Sequence, residues 1–248
     1  MNYLIDLGNT SCKVAFEEDG VIGECHRSKP GQNIQNFIVS KAKQRIATGD
    51  GIDVIVFSNV RLNDEELNAQ LAGLCHKFIL LDVETELPHN LDYKFNPEGM
   101  GADRIAGALA VACLFKGQDC MKFDFGTAIT IDFINKEGSF TGGNISLGMR
   151  SRFKALKDYT RRLPYLSAPV DEIPDQGLEI YGSMSAGIVF GIMFEVEGYM
   201  NRYPGKTFIF TGGDAFYFAK KMKNAIFACP NLVLMGLAQI ADYYAEKN

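Results

Sequence analysis

Two short segments carry the same pattern, an aspartate closing a strand-like run with glycine two residues later. The first is Asp6-Leu7-Gly8-Asn9-Thr10-Ser11-Cys12-Lys13, and the second is Asp124-Phe125-Gly126-Thr127-Ala128-Ile129-Thr130. A strand ending in aspartate sets a carboxylate at the sheet edge. Glycine two positions on lets the chain turn tightly and brings backbone N–H groups near a ligand. Asn9, Thr10, Ser11, Thr127 and Thr130 add short side-chain donors, and Lys13 adds a point charge. Donors attract an anion that the carboxylates would repel, so the combination suits a cation held between carboxylate and phosphate, as in metal–nucleotide sites. Two such turns facing each other across a cleft would grip a triphosphate from both sides. Taken singly, each aspartate is equally a turn former.

Two further segments have chemical potential. Thr211-Gly212-Gly213-Asp214-Ala215 joins a strand-like run to a helix and permits close approach of a flat or anionic group to a helix N-terminus. Gly101-Ala102-Asp103-Arg104 follows a loop containing Asn96, Pro97 and Gly99 and opens an amphipathic helix. Asp103 falls in the first helical turn, where the dipole favours negative charge. A carboxylate there can orient an alcohol and accept its proton, and Arg104 can bind a carboxylate bidentately. Alone, the pair also reads as a helix-start acid beside a surface arginine. Gly205-Lys206-Thr207 is no P-loop, because Met200 stands where its first glycine belongs and a strand follows. Asp124-Phe125-Gly126 lacks the other protein-kinase segments.

The elements that must position these residues alternate. Strand-like runs cover 2–6, 13–17, 53–58, 77–82, 121–124, 128–134, 139–141 and 207–211. Helical periodicity covers 33–47, 64–75, 102–115, 148–159, 183–202, 215–222 and 232–246. The class is therefore α/β. The two aspartate–glycine hairpins lie 118 residues apart in a chain of 248, and each leads into a polar segment ending in glycine, Gly20 and Gly138. That repetition predicts a duplicated unit divided into 1–117 and 118–248, against the alternative of two unrelated hairpins.

Composition narrows the partners. Lys and Arg number 25 and Asp and Glu 30, a net charge of −5, so the basic excess of a nucleic-acid binder is missing. The apolar runs 107–115 and 186–194 fall short of the roughly 18–20 residues of a membrane span, so no membrane partner is expected. The N-terminus enters a strand pattern at once, unlike a signal peptide. None of the six cysteines is at CxxC spacing, which predicts free thiols in a reducing cytoplasm. His26, His76 and His89 show no i,i+4 spacing, so zinc is not expected.

In order and spacing, these segments, together with Gly142-Gly143-Asn144-Ile145 and a closing Asn231-Leu232-Val233-Leu234-Met235-Gly236-Leu237, resemble the type III pantothenate kinases. These belong to the acetate and sugar kinase/Hsp70/actin superfamily. The resemblance runs nearly end to end, with Gly101-Ala102-Asp103-Arg104 its most specific mark. It implies an actin-like ATPase fold of two similar ribonuclease-H-like halves with a nucleotide cleft between them. It also implies a cytoplasmic homodimer that transfers the ATP γ-phosphoryl group to the pantothenate hydroxyl, the first step of coenzyme A biosynthesis. By the same resemblance, Asp6, Leu7, Gly8, Asn9, Thr10, Ser11, Cys12, Lys13, Gly126, Thr127, Gly212 and Gly213 bind ATP. Tyr93, Gly101, Ala102, Asp103, Arg104 and Ile180 bind pantothenate, Asp103 is the catalytic base, Asp124 holds potassium or ammonium, and Asp6 engages magnesium through water. The chain departs from the family pattern at Leu147, where proline is usual. It departs again at Ile180, where the partner subunit usually contributes a threonine, and Tyr181 or Ser183 would have to supply that hydrogen bond. The Tyr93–Pro97 spacing is one residue longer than the family pattern. Two other readings stand beside this one: a sugar or acetate kinase of the same superfamily, which Arg104 suits less well, and a non-catalytic regulator that retains the fold.

Overall fold

A computed structural model describes residues 1–88, 91–223 and 226–247; His89 lies outside the described residues. The chain forms two compact units.

Unit 1 comprises residues 1–116, 137–141 and 231–248. Its sheet contains β1 (Asn2–Leu7), β2 (Cys12–Glu18), β3 (Val21–Ile22), β4 (His26–Arg27), β5 (Val54–Asn59) and β6 (Lys77–Leu80). The order is β3-β2-β1-β5-β6, with β4 also on β2. Strand β1 runs antiparallel to β2, with Asp6 opposite Lys13, and parallel to β5, with Asp6 opposite Ser58. Alternation sends Tyr3, Ile5, Val14, Ile55 and Phe57 to one face, where they form a core with Phe37 and Ile38 of α1 (Ile34–Ile46) and Leu67 and Leu71 of α2 (Glu65–Ala72). Helices α3 (Ala102–Leu114) and α7 (Leu232–Glu246) pack together and lie against β1 and β5. They approach so closely that a Cβ on Gly236 would overlap the backbone of Ala106.

Unit 2 comprises residues 117–136 and 142–230. Its sheet has the order β11-β10-β7-β8-β9, with β7 (Cys120–Phe125), β8 (Ala128–Ile134), β9 (Phe140–Leu147), β10 (Thr207–Gly212) and β11 (Phe227–Ala228). The β7–β8 hairpin repeats β1–β2, with Asp124 opposite Thr130, and β10 lies parallel to β7 with Thr211 opposite Asp124. Phe123, Phe125, Ile129, Ile131 and Phe210 face a core shared with α4 (Met149–Tyr159), α5 (Ile180–Arg202) and α6 (Ala215–Ala219). On the opposite face, Lys122 and Asp132 form a fully buried ion pair at 2.8 Å.

The structure departs from the sequence reading in several places. The segment 231–248, placed with the second half, returns to unit 1, because α7 supplies apolar cover for β1 and β5. Helix α5 begins at Ile180 rather than 183, since the Glu179 carboxylate caps it by accepting from the N–H groups of Tyr181 and Gly182. Helix α6 stops at Ala219 rather than 222, and β9 extends to Leu147. At 23 residues, α5 is by length and composition long and apolar enough to cross a membrane, which the run 186–194 alone did not suggest. It instead buries Met184, Ile188, Val189, Ile192, Val196 and Met200 in the unit 2 core.

Candidate active site

The first turn is closed by the Gly8 N–H donating to the Ser11 carbonyl at 3.0 Å. Asp6 and Lys13 are half-buried neighbours across the β1–β2 ladder, and Asn9 and Thr10 stand exposed at the tip. Two of the residues expected to bind ATP are buried. Leu7 and Cys12 point into the core, and the Cys12 N–H is already committed to Ser28 Oγ at 2.9 Å. Burial pushes the Cys12 thiol well above the usual thiol range.

Beside Asp6 lies a residue the sequence reading missed. Ser58 is fully buried, and its Oγ has no hydrogen-bond partner among the described residues. Nothing local marks it, because its place next to Asp6 depends on parallel pairing across more than fifty residues.

Helix α3 enters at the same edge. The Val60 N–H, just past β5, donates to the Leu7 carbonyl at 3.2 Å. Val60 Cγ1 also lies 3.7 Å from where a Cβ on Gly101 would stand. The start of α3 therefore sits beside the ends of β1 and β5. Gly101 caps the helix without a side-chain bond, and a Cβ there would come within 2.6 Å of Asp103 Oδ1, so glycine leaves room for the carboxylate. That Oδ1 accepts from the Arg104 N–H at 2.8 Å. The Arg104 guanidinium lies over the Phe140 ring, 5.6 Å from its centroid, a favourable seat for a cation. Phe95 meets Phe140 edge-on at 5.4 Å, and Tyr93 bridges to Phe140 through the backbone. The Tyr93 hydroxyl is buried without a partner among the described residues, and burial pushes its pKa up to about 12. Phe95 and Phe140 were not legible as site residues in the sequence.

In unit 2, the Gly126 N–H donates to the Ala128 carbonyl at 3.0 Å and closes a tighter turn. The Thr127 carbonyl receives the Gly148 N–H at 3.0 Å and Ser151 Oγ at 2.6 Å, both from the start of α4. Gly212 has φ of 91°, and a Cβ there would strike Asp124 Oδ1 and the Phe125 backbone, so Asp124 and the Gly212–Gly213 turn are brought together. The Thr130 hydroxyl opposite Asp124 is buried without a partner among the described residues. Ile180, by contrast, is an exposed helix start, and Tyr181 and Ser183 beside it are exposed too. Leu147 is exposed, and its carbonyl accepts from Arg152 Nε at 2.8 Å.

Among the described residues, no three His, Cys, Asp or Glu side chains converge as metal ligands. A divalent ion would take one carboxylate from unit 1, Asp6, and complete its shell with water and phosphate. Magnesium keeps several waters and binds through one or two carboxylates plus substrate phosphates, so the donor set fits it. Asp124, packed against the Gly212 backbone, offers one carboxylate among backbone groups, a donor set that suits a monovalent ion.

Comparison with known proteins bears on this geometry. A family model described as type III pantothenate kinase matches residues 2–202. A type III pantothenate kinase of Phocaeicola vulgatus is 37% identical over 98% of both chains. Among solved structures, a 2-dehydro-3-deoxygalactonokinase-like protein of Sinorhizobium meliloti superposes with a TM-score of 0.64 at 12% identity, covering 98% of this chain and 99% of its own. MreB5 of Spiroplasma citri bound to ADP superposes at 0.55 and 9% identity, covering 99% and 97%. Those two share the fold, an actin-like α/β architecture. The chain belongs to the type III pantothenate kinase family and is an ATP-dependent pantothenate kinase that works with a divalent metal ion.

Proposed function

We propose that the phosphoryl transfer uses Asp103 as general base, with Arg104 binding the pantothenate carboxylate. The observation that supports this is the placement of Asp103 beside the end of β1, the strand that carries Asp6. One Asp103 oxygen is held by its own helix, and the other makes no hydrogen bond among the described residues. In this reading the free oxygen accepts the proton of the pantothenate hydroxyl as it attacks the γ-phosphorus. Arg104, seated on Phe140, takes the acceptor's carboxylate through its guanidinium fork, and the Tyr93 hydroxyl meets a polar group of the same substrate. Gly8, Asn9, Thr10, Ser11 and Lys13 of unit 1, and Gly126, Thr127, Gly212 and Gly213 of unit 2, take the ATP contacts, and Leu7 and Cys12 serve by anchoring the first turn in the core. Asp6 would hold magnesium through water, and the bound ion would neutralise phosphate charge. Asp124 holds potassium or ammonium.

A homodimer and a cytoplasmic setting complete the proposal, with Ile180 reaching the acceptor of the partner subunit. Incubation of the protein with ATP, magnesium, potassium and pantothenate is expected to yield phosphopantothenate, with much lower turnover when potassium is replaced by sodium. Asp103→Asn is expected to reduce kcat by at least ~100-fold, the lower range for loss of a general base, with ATP binding retained in calorimetry. Near-normal turnover in that variant would remove Asp103 from the chemistry.

A further inference from the structure

The strand end that carries Asp6 has a further neighbour in Arg61. Arg61 follows β5, and its guanidinium reaches back to the first turn. Its Nε donates to the Gly8 carbonyl at 2.9 Å and its Nη2 to the Asn9 carbonyl at 3.1 Å. Its own backbone N–H is held by Asn59 Oδ1 at 2.8 Å, which fixes the root of the side chain. The fork therefore grips two consecutive peptide groups.

We propose that Arg61 is a positioning residue for ATP, orienting the peptides that follow Gly8 and Asn9 so that their N–H groups face the phosphates. In a trans peptide the C=O and N–H point in opposite directions. Holding the carbonyls of Gly8 and Asn9 from one side turns the N–H groups of Asn9 and Thr10 to the other. The planar guanidinium, with several donors in a fixed fork, suits a two-carbonyl grip that a lysine ammonium cannot reproduce.

The duplicated hairpin supplies an independent argument. Counting from the two aspartates, Asn9 in the first turn corresponds to Thr127 in the second. The Thr127 carbonyl is also held from outside its hairpin, by the Gly148 N–H and Ser151 Oγ. Both copies thus fix the carbonyl at the equivalent position. The second uses the start of a helix that follows its hairpin, and the first uses an arginine 52 residues away. The first turn is also the longer of the two, closing at Ser11 rather than one residue after its tip, and so has more need of an external clamp.

This inference rests on the first turn being a phosphate site, so the test separates the two. Steady-state kinetics would be measured for Arg61→Ala, Arg61→Lys and Asp6→Asn, varying ATP and pantothenate in turn. Because Arg61 is exposed, its variants should keep the wild-type melting temperature. Arg61→Ala is expected to raise the KM for ATP about ten-fold, the low end for one hydrogen bond from a charged group, with the KM for pantothenate unchanged. Arg61→Lys is expected to behave like the alanine variant. An ATP KM within two-fold of wild type in Arg61→Ala, equal losses for both substrates, or full recovery with lysine would each overturn the positioning role. If Asp6→Asn leaves ATP kinetics intact, the phosphate site itself is misplaced and the inference falls with it. If Asp6→Asn impairs ATP use and Arg61→Ala does not, only the inference falls.

Discussion

At the residue scale, the site depends on where side chains are missing as much as on where they are present. Gly101 leaves space for the Asp103 carboxylate, and Gly212 leaves space for Asp124 while holding φ at 91°, a region L side chains rarely adopt. Gly212→Ala meets both penalties together: the backbone must leave its left-handed conformation, and the new methyl meets Asp124 Oδ1 and the Phe125 backbone. Strain of this kind costs of order 1–3 kcal/mol, and displacing Asp124 removes the proposed cation ligand. The variant is expected to lower the melting temperature by several degrees and to blunt stimulation by potassium. A Gly212→Ala protein with wild-type melting and full potassium response would show that Asp124 does not depend on this packing. The acids at 6, 103 and 124 stood out in the sequence because each sits in a short local motif. Ser58, Arg61 and Phe140 did not, since a serine ending a strand or an arginine in a loop acquires its role only from chain that returns to it.

At the element scale, the hairpins and most helices were legible from apolar periodicity, and their repetition was legible from the spacing of two aspartates. Less legible was the return of α7 to the first unit, because a helix rich in leucine and alanine declares that it needs cover without declaring where. Its docking leaves a chemical trace. Asn2 Nδ2 donates to Glu17 Oε2 at 2.7 Å and to Asp242 Oδ1 at 3.3 Å, which places an α7 carboxylate beside the buried Glu17 of β2. Burial, followed by the nearby Glu17 and Glu246 charges, pushes Asp242 up to about 6. A carboxyl whose folded pKa lies above its unfolded value favours the folded state below the unfolded pKa, and that stabilisation is lost as pH rises through the folded pKa. The helix should therefore hold less firmly as pH rises from about 4 to above 6. Asp242→Asn keeps a neutral side chain at every pH, so it is expected to melt higher than wild type at pH 7.5 and to match it near pH 4. Parallel melting curves for the two proteins across that range would count against the carboxyl pair.

At the scale of the whole molecule, α5 is apolar beyond what its own core requires. Ile188, Val189 and Ile192 are buried in unit 2, and Met193 packs at its margin. The surplus lies on another face, where Phe194 is 66% exposed and stacked on Phe190 at 6.2 Å between centroids. Gly187, Gly191 and Gly198 continue that stripe at helical spacing, and small residues there would let a second helix approach closely. A helix that serves a core on one side and a twin on the other would have the length and composition of a membrane span without entering one. It also begins at Ile180, the position that resemblance assigns to the partner's acceptor site, so assembly and substrate binding would be joined through one element. If the protein forms the proposed homodimer through this face, Phe194→Glu is expected to convert it to a monomer in light scattering, since burying a phenylalanine contributes about 1.5–3 kcal/mol. It should also raise the KM for pantothenate more than that for ATP. A wild-type protein that is already monomeric and fully active, or a Phe194→Glu dimer with unchanged kinetics, would detach α5 from both roles.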